Sequence, residues 1–131
     1  MRFELTFKDI YQLENKLNFC KLNNIKNINI PCKGLIKKEF FNYTINYISK
    51  NFHEFNVTYH YSLYHQYSKN KNKSYQAFLD FIKNSYTNRN YEILLVSGSS
   101  KKKNFDAITV LNNIKKEKIL NVKLGIAYNP Y

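Results

Sequence analysis

The residues of this chain able to do chemistry sit within or just behind short apolar runs. His60 stands between Tyr59 and Tyr61, near the end of Asn56-Val57-Thr58-Tyr59-His60-Tyr61. In an extended segment Thr58, His60 and Ser62 share one face and the two tyrosines share the other. An imidazole in that position is either a hydrogen-bonded core side chain or a group facing a ligand. Glu4, between Phe3 and Leu5, also reads two ways: an exposed edge residue, or an inward, partly desolvated proton donor. The segment Ser97-Gly98-Ser99-Ser100-Lys101-Lys102-Lys103 follows the apolar run Ile93-Leu94-Leu95-Val96. A small, glycine-containing turn behind a buried strand exposes backbone N–H groups, and the next helix adds its positive end. That turn suits a phosphate or a flavin pyrophosphate. It equally suits an ordinary strand-to-helix turn with a solvated charge run, because a full phosphate-binding loop motif is missing.

Other chemistries lack their residues. No second carboxylate pairs with Glu4 in the manner of a glycosidase. No G-x-S-x-G elbow is present, and neither Cys20 nor Cys32 has a histidine nearby in sequence. No His, Cys, Asp or Glu residues stand at zinc-ligand spacing, so no metal site is expected. His53 and His65 read as surface-loop residues.

The elements that must position these groups alternate between two periods. Phe3 to Phe7 reads as a strand; then Ile10, Leu13, Leu17 and Cys20 mark a helical face, with Asp9 as its N-cap. Asn27 to Ile30 is a second strand, stopped by Pro31 and followed by Gly34. Phe41, Thr44, Ile45, Ile48 and Phe52 recur at helical spacing. Asn56 to Tyr61 is the third strand, rich in β-branched and aromatic residues. Tyr75, Phe78, Phe81 and Ile82 define a third helix. Glu92 to Val96 reads as a wholly buried strand, apolar without alternation. A fourth helix carries Ala107, Ile108, Leu111 and Ile114, and Lys123 to Tyr128 is a fifth strand. The strand starts are spaced as in repeated βα units with right-handed crossovers, and no hairpin signal interrupts them. A parallel α/β sheet follows. Two architectures share the pattern: part of a (βα)8 TIM barrel, or an open doubly wound five-stranded sheet. In both, functional groups belong at the carboxyl ends of the strands.

The length, 131 residues, suits a single domain with one core and no need of disulfides. Two cysteines, no hydrophobic leader and no long apolar stretch point to a soluble, reducing, cytoplasmic setting without a membrane partner. The formal charge of +12 needs a discount: 19 of the 21 basic residues are lysine, beside 20 asparagines and 12 tyrosines. Those are the residues of A- and T-rich codons, and arginine, the better reader of phosphates and bases, is almost missing. The charge is therefore read first as base composition. A non-catalytic domain binding RNA or another polyanion through Tyr61, Tyr64, Tyr67, Lys69, Lys71 and Lys73 is the alternative.

Taken in order, the strand ends resemble the first five strands of the methylenetetrahydrofolate reductase family, which are FAD-linked TIM barrels. Phe3-Glu4-Leu5 is similar to the family's first-strand Phe-Glu-Phe. Ile28-Asn29-Ile30-Pro31 loosely matches its Val-Thr-Tyr-Gly, and Tyr59-His60-Tyr61-Ser62 resembles its Ala-His-Leu-Thr. Leu95-Val96-Ser97-Gly98-Ser99 faces its Ala-Leu-Arg-Gly-Asp, and Tyr128-Asn129-Pro130-Tyr131 faces its Ala-Tyr-Pro-Glu. The set looks like a divergent branch. The resemblance implies an oxidoreductase with FAD across the strand ends, NAD(P)H as electron donor and a small, folate-like substrate. It places Asn29, His60, Ser62, Ser97, Gly98, Ser99, Lys101 and Asn129 near the cofactor, and Glu4 as the acid that protonates the substrate. A complete barrel has about 250 residues, so five strands imply a partial barrel. Its fifth strand would offer an open edge for self-association.

Overall fold

The computed structural model describes residues 1–31, 38–62, 71–84, 91–96, 107–116 and 123–127. Nine elements alternate along them: β1 (Phe3–Glu4), α1 (Ile10–Leu22), β2 (Asn27–Ile30), α2 (Lys38–Asn51), β3 (Asn56–Ser62), α3 (Lys71–Asn84), β4 (Tyr91–Val96), α4 (Ala107–Lys116) and β5 (Lys123–Ile126).

The five strands form one sheet in the order β1-β2-β3-β4-β5, and every neighbouring pair is parallel. The order has no reversal, the feature that would mark a doubly wound sheet. Right-handed crossovers that always step the same way lay every helix on the same face. The core bears this out. Leu5, Phe7, Ile28, Ile30, Val57, Tyr59, Tyr61, Tyr91, Ile93 and Leu95 alternate along the strands and are all buried with the helices' apolar residues. Phe41 of α2 is the hub. Its ring lies 5.8 Å from Tyr59, 6.0 Å from Tyr61 and 5.2 Å from Phe81 of α3. Phe78 adds a second α3 ring 4.9 Å from Tyr61. Burial in this aromatic layer pushes both tyrosine hydroxyls far above their ordinary range.

Local signals set the ends of α1. The Asp9 carboxylate accepts from the Gln12 N–H at 2.8 Å, and Gln12 Oε1 accepts from the Lys8 N–H at 3.0 Å, so two otherwise orphaned donors are satisfied. At the other end Asn24 takes φ 57° in the left-handed region. Ile25 N–H then reaches Cys20 O at 2.9 Å and Asn24 N–H reaches Lys21 O at 3.2 Å, a Schellman motif with asparagine in the usual glycine position.

Three expectations need correction. The first strand is shorter than Phe3 to Phe7. The ladder continues only through Leu5 N–H to Asn29 O, after which Lys16 Nζ takes the Thr6 carbonyl and the chain turns into the α1 cap. The fourth strand begins at Tyr91 and its burial alternates, with Leu94 and Val96 only half-buried, because none of the described helices covers their side of the sheet. In α4 the buried stripe is Ala107, Val110 and Ile114; Ile108 is 51% exposed and Leu111 half-buried, because positions one, four and eight of the helix are the ones that meet the sheet. Of the fifth strand, Tyr128 lies outside the described residues.

Replacing the hub ring should be costly. Phe41→Ala is expected to lower stability by about 3–5 kcal/mol, whereas Tyr11→Ala, at a residue 74% exposed on α1, should stay within about 0.5 kcal/mol of the parent. Urea denaturation of the three proteins checks both values; a small loss for Phe41→Ala would contradict the hub.

Candidate functional site

The uncovered face of the sheet carries the other half of the strand residues, and they are mostly polar. Strand register aligns one complete row across it: Glu4, Asn29, Thr58, Glu92 and Lys123. The next row toward the strand ends holds His60, Leu94 and Gly125, and beyond it Ser62 lies beside Val96. Thr58, His60 and Ser62 thus share this face, as strand alternation predicts, while Tyr59 and Tyr61 point into the core.

The bottom of the face is tied by one carboxylate. Glu92 Oε2 accepts from Arg2 Nη2 at 3.1 Å, and its Oε1 lies 2.9 Å from Lys123 Nζ. Arg2 also donates to Thr58 Oγ1 at 2.6 Å, and the Thr58 hydroxyl donates to Glu92 at 3.3 Å. The Lys123 hydrogen bond, then the Arg2 charge, hold the Glu92 carboxyl below the usual range against the opposing effect of partial burial. Groups from the two outermost strands therefore meet on a single side chain of β4. Strands lie about 4.8 Å apart, so three spacings separate β1 from β4 by roughly 14 Å in a flat sheet. An arginine side chain spans on the order of half that by its bond lengths, and the 3.1 Å bond and the Glu92 side chain make up the rest.

Beside and above that tie this face holds two buried polar atoms with no hydrogen-bond partner among the described residues: Asn29 Oδ1 in the same row and His60 Nε2 one row higher. They belong to adjacent strands. Burial lowers the His60 pKa from its ordinary 6.5, and the nearby Glu4 charge opposes the shift. The imidazole is therefore neutral at pH 7, with one ring nitrogen as donor and the other as acceptor. In the same row, beyond Leu94, Gly125 carries no side chain, and a Cβ there would lie 3.3 Å from Leu94 Cδ1. This row thus runs from a polar His60 to the apolar Leu94 and Gly125, with Asn29 one row lower on β2. Glu4 stands on the same face at its β1 margin and is exposed, which matches the edge placement and leaves its carboxylate in water.

Of the residues singled out in the sequence, the structure brings together Glu4, Asn29, His60 and Ser62. Ser97, Gly98, Ser99, Lys101 and Asn129 lie outside the described residues, as do Tyr64, Tyr67 and Lys69; the side chains of Lys71 and Lys73 do too. The sequence reading missed Arg2, Thr58, Glu92 and Lys123 as a set. The available signal was parity: Arg2 shares the face of Glu4, and Glu92 is the lone charge in an otherwise apolar strand. Among the described residues no group of His, Cys, Asp and Glu is placed to hold a metal ion, and no helix is long and apolar enough to cross a membrane. Comparisons with protein-family models, curated proteins and solved structures find no match to this chain.

The Glu92 tie fixes a pH dependence. A carboxyl held low in the fold contributes stability above its unfolded value of about 4.3 and loses it as the pH falls through the lower folded value. Glu92→Gln should be the less stable protein at pH 7, by about 1 kcal/mol or less, since the side chain is 32% exposed and screened. At about pH 2 the two proteins should converge. Equal stability at pH 7 would count against the tie.

Proposed function

We propose that this chain is a flavin-linked oxidoreductase domain similar to the methylenetetrahydrofolate reductases, its five strands forming part of a (βα)8 barrel. The single observation that carries the reading is the pair of buried polar atoms, Asn29 Oδ1 and His60 Nε2, without a partner among the described residues on the face that the described helices leave open. The singly wound strand order is what a partial barrel requires.

The residues present fit a flavin ring. The pyrimidine edge of an isoalloxazine alternates acceptor, N–H donor and acceptor. Asn29 Oδ1 offers an acceptor, and a neutral His60 offers a donor at Nε2 when the proton sits there. The apolar Leu94 and Gly125 suit the flat face of a ring, and any side chain at position 125 would obstruct it. Asn129, Ser62 and the turn containing Ser97, Gly98, Ser99 and Lys101 follow or end their strands, where backbone N–H groups and lysine charge would hold a pyrophosphate.

Bound FAD supplies hydride transfer between NAD(P)H and a folate-like substrate, chemistry that belongs to the cofactor. The chain's own residues bind and orient. Burial disfavours the charged form of His60, so it brings hydrogen bonding to this face without a charge. Glu4, at the margin of the same face, is the proton donor in this reading, and a ligand covering it would remove the water that now surrounds it. Ser97 and Ser99 stand where the family carries Arg and Asp, so two hydroxyls replace those two charges near the cofactor. This suits a divergent substrate or a slower reaction.

Flavin titration tests the proposal. Binding of FAD by the 131-residue protein, read by fluorescence quenching at high protein concentration, should be weak, since five strands supply only part of a barrel's pocket. His60→Ala and Gly125→Val should each weaken it at least about tenfold further. Riboflavin should share both losses, since the two residues meet the ring and not the phosphates. Binding that neither substitution alters, or colourless protein that instead binds RNA with steep salt dependence, would overturn it.

A further inference from the structure

The geometry points to Arg2 as a positioning residue that fixes β1, and with it Glu4, across this face from His60. β1 pairs with β2 over only two residues, with one further bond from Leu5 N–H to Asn29 O at 2.9 Å. So short an edge strand has little hold of its own. Arg2 lies two residues before Glu4 and Thr58 two residues before His60, so each pair shares one face of its strand. The Arg2 to Thr58 hydrogen bond at 2.6 Å therefore spans β2 to reach the row that holds Glu4, one step below His60. The second arm of the guanidinium, on Glu92 at 3.1 Å, prevents Arg2 from swinging away. A forked, planar cation can hold both partners at once, which a lysine cannot.

The consequence is that the separation of Glu4 and His60 is set from beneath, by a residue that meets neither. The groups on this face around His60 are Glu4 from β1, Asn29 from β2 and the apolar Leu94 and Gly125 from β4 and β5. Arg2, Glu92 and Lys123 supply the charges one row lower or further. Glu4 is the one whose charge reaches the imidazole and partly offsets the effect of its burial. This inference concerns the geometry of the face and stands whether or not a flavin is its ligand.

The sign of one measurement separates positioning from simple charge. Removing a cation should raise the His60 titration midpoint through lost repulsion. Releasing β1 should lower it, because the Glu4 carboxylate moves away. We expect NMR titration of Arg2→Met to give a lower midpoint than the parent, and Arg2→Lys, which keeps the charge, to lower it as well. Hydrogen exchange at the Leu5 amide should quicken about tenfold in both, as β1 frays. Thr58→Val, which keeps the Arg2–Glu92 pair, should move both readouts in the same sense by less, and decides the case should Arg2→Met fail to fold. A midpoint that rises or stays in Arg2→Met and Arg2→Lys, or a Leu5 amide unchanged in them, would overturn the assignment.

Discussion

Every other feature of this protein depends on the handedness of its crossovers. Connections that all step the same way along a parallel sheet, and are right-handed as such crossovers are, put α1 to α4 on one face and none of the described helices on the other. The covered face accepts large apolar side chains, and it has them: the rings of Phe41, Tyr59, Tyr61, Phe78 and Phe81 form one continuous layer. The opposite face has no such filling. A carboxylate, an imidazole and an amide can stand there without displacing the core, provided enough of them find partners.

That asymmetry explains why the chain's architecture was legible in sequence and its strand limits less so. Alternation in Asn56–Ser62 and the spacing of Leu13, Leu17 and Cys20 are direct signatures of burial on one side, and both elements form as read. Asp9 and Gln12 announce the start of α1 by a local hydrogen bond, which needs no tertiary information. The end of β1 does need it: the ladder stops where Lys16, ten residues on, takes the Thr6 carbonyl. The burial of β4 was misjudged for a related reason. Leu94 and Val96 look like core residues in composition, yet they lie on the face that the described helices leave open.

The candidate site was legible only through its conspicuous members. His60 and Glu4 stand out because a polar residue interrupts an apolar run. Arg2, Thr58, Glu92 and Lys123 do not, since lysine, threonine and glutamate at strand starts are ordinary. What makes them a unit is register. The pairings Asn29 with Thr58, Thr58 with Glu92 and Glu92 with Lys123 put residues up to 94 positions apart in a single row. Strand pairing of that range is a property of the folded sheet, and no local pattern encodes it.

The two kinds of polar residue on this face have opposite states of satisfaction. On β3 to β5, both Glu92 oxygens and the Thr58 hydroxyl are paired, and the charges of Arg2 and Lys123 are opposed by a carboxylate. Asn29 in the same row and His60 one row higher hold buried atoms with no partner among the described residues. An orphaned buried donor or acceptor costs about 1–3 kcal/mol, and a chain whose surface is rich in lysine and asparagine had apolar substitutes available for both positions. Thr58 and Glu92 show that the sheet can satisfy its polar groups when the groups serve the fold. The unsatisfied atoms beside and above that set are what the proposed site offers a ligand.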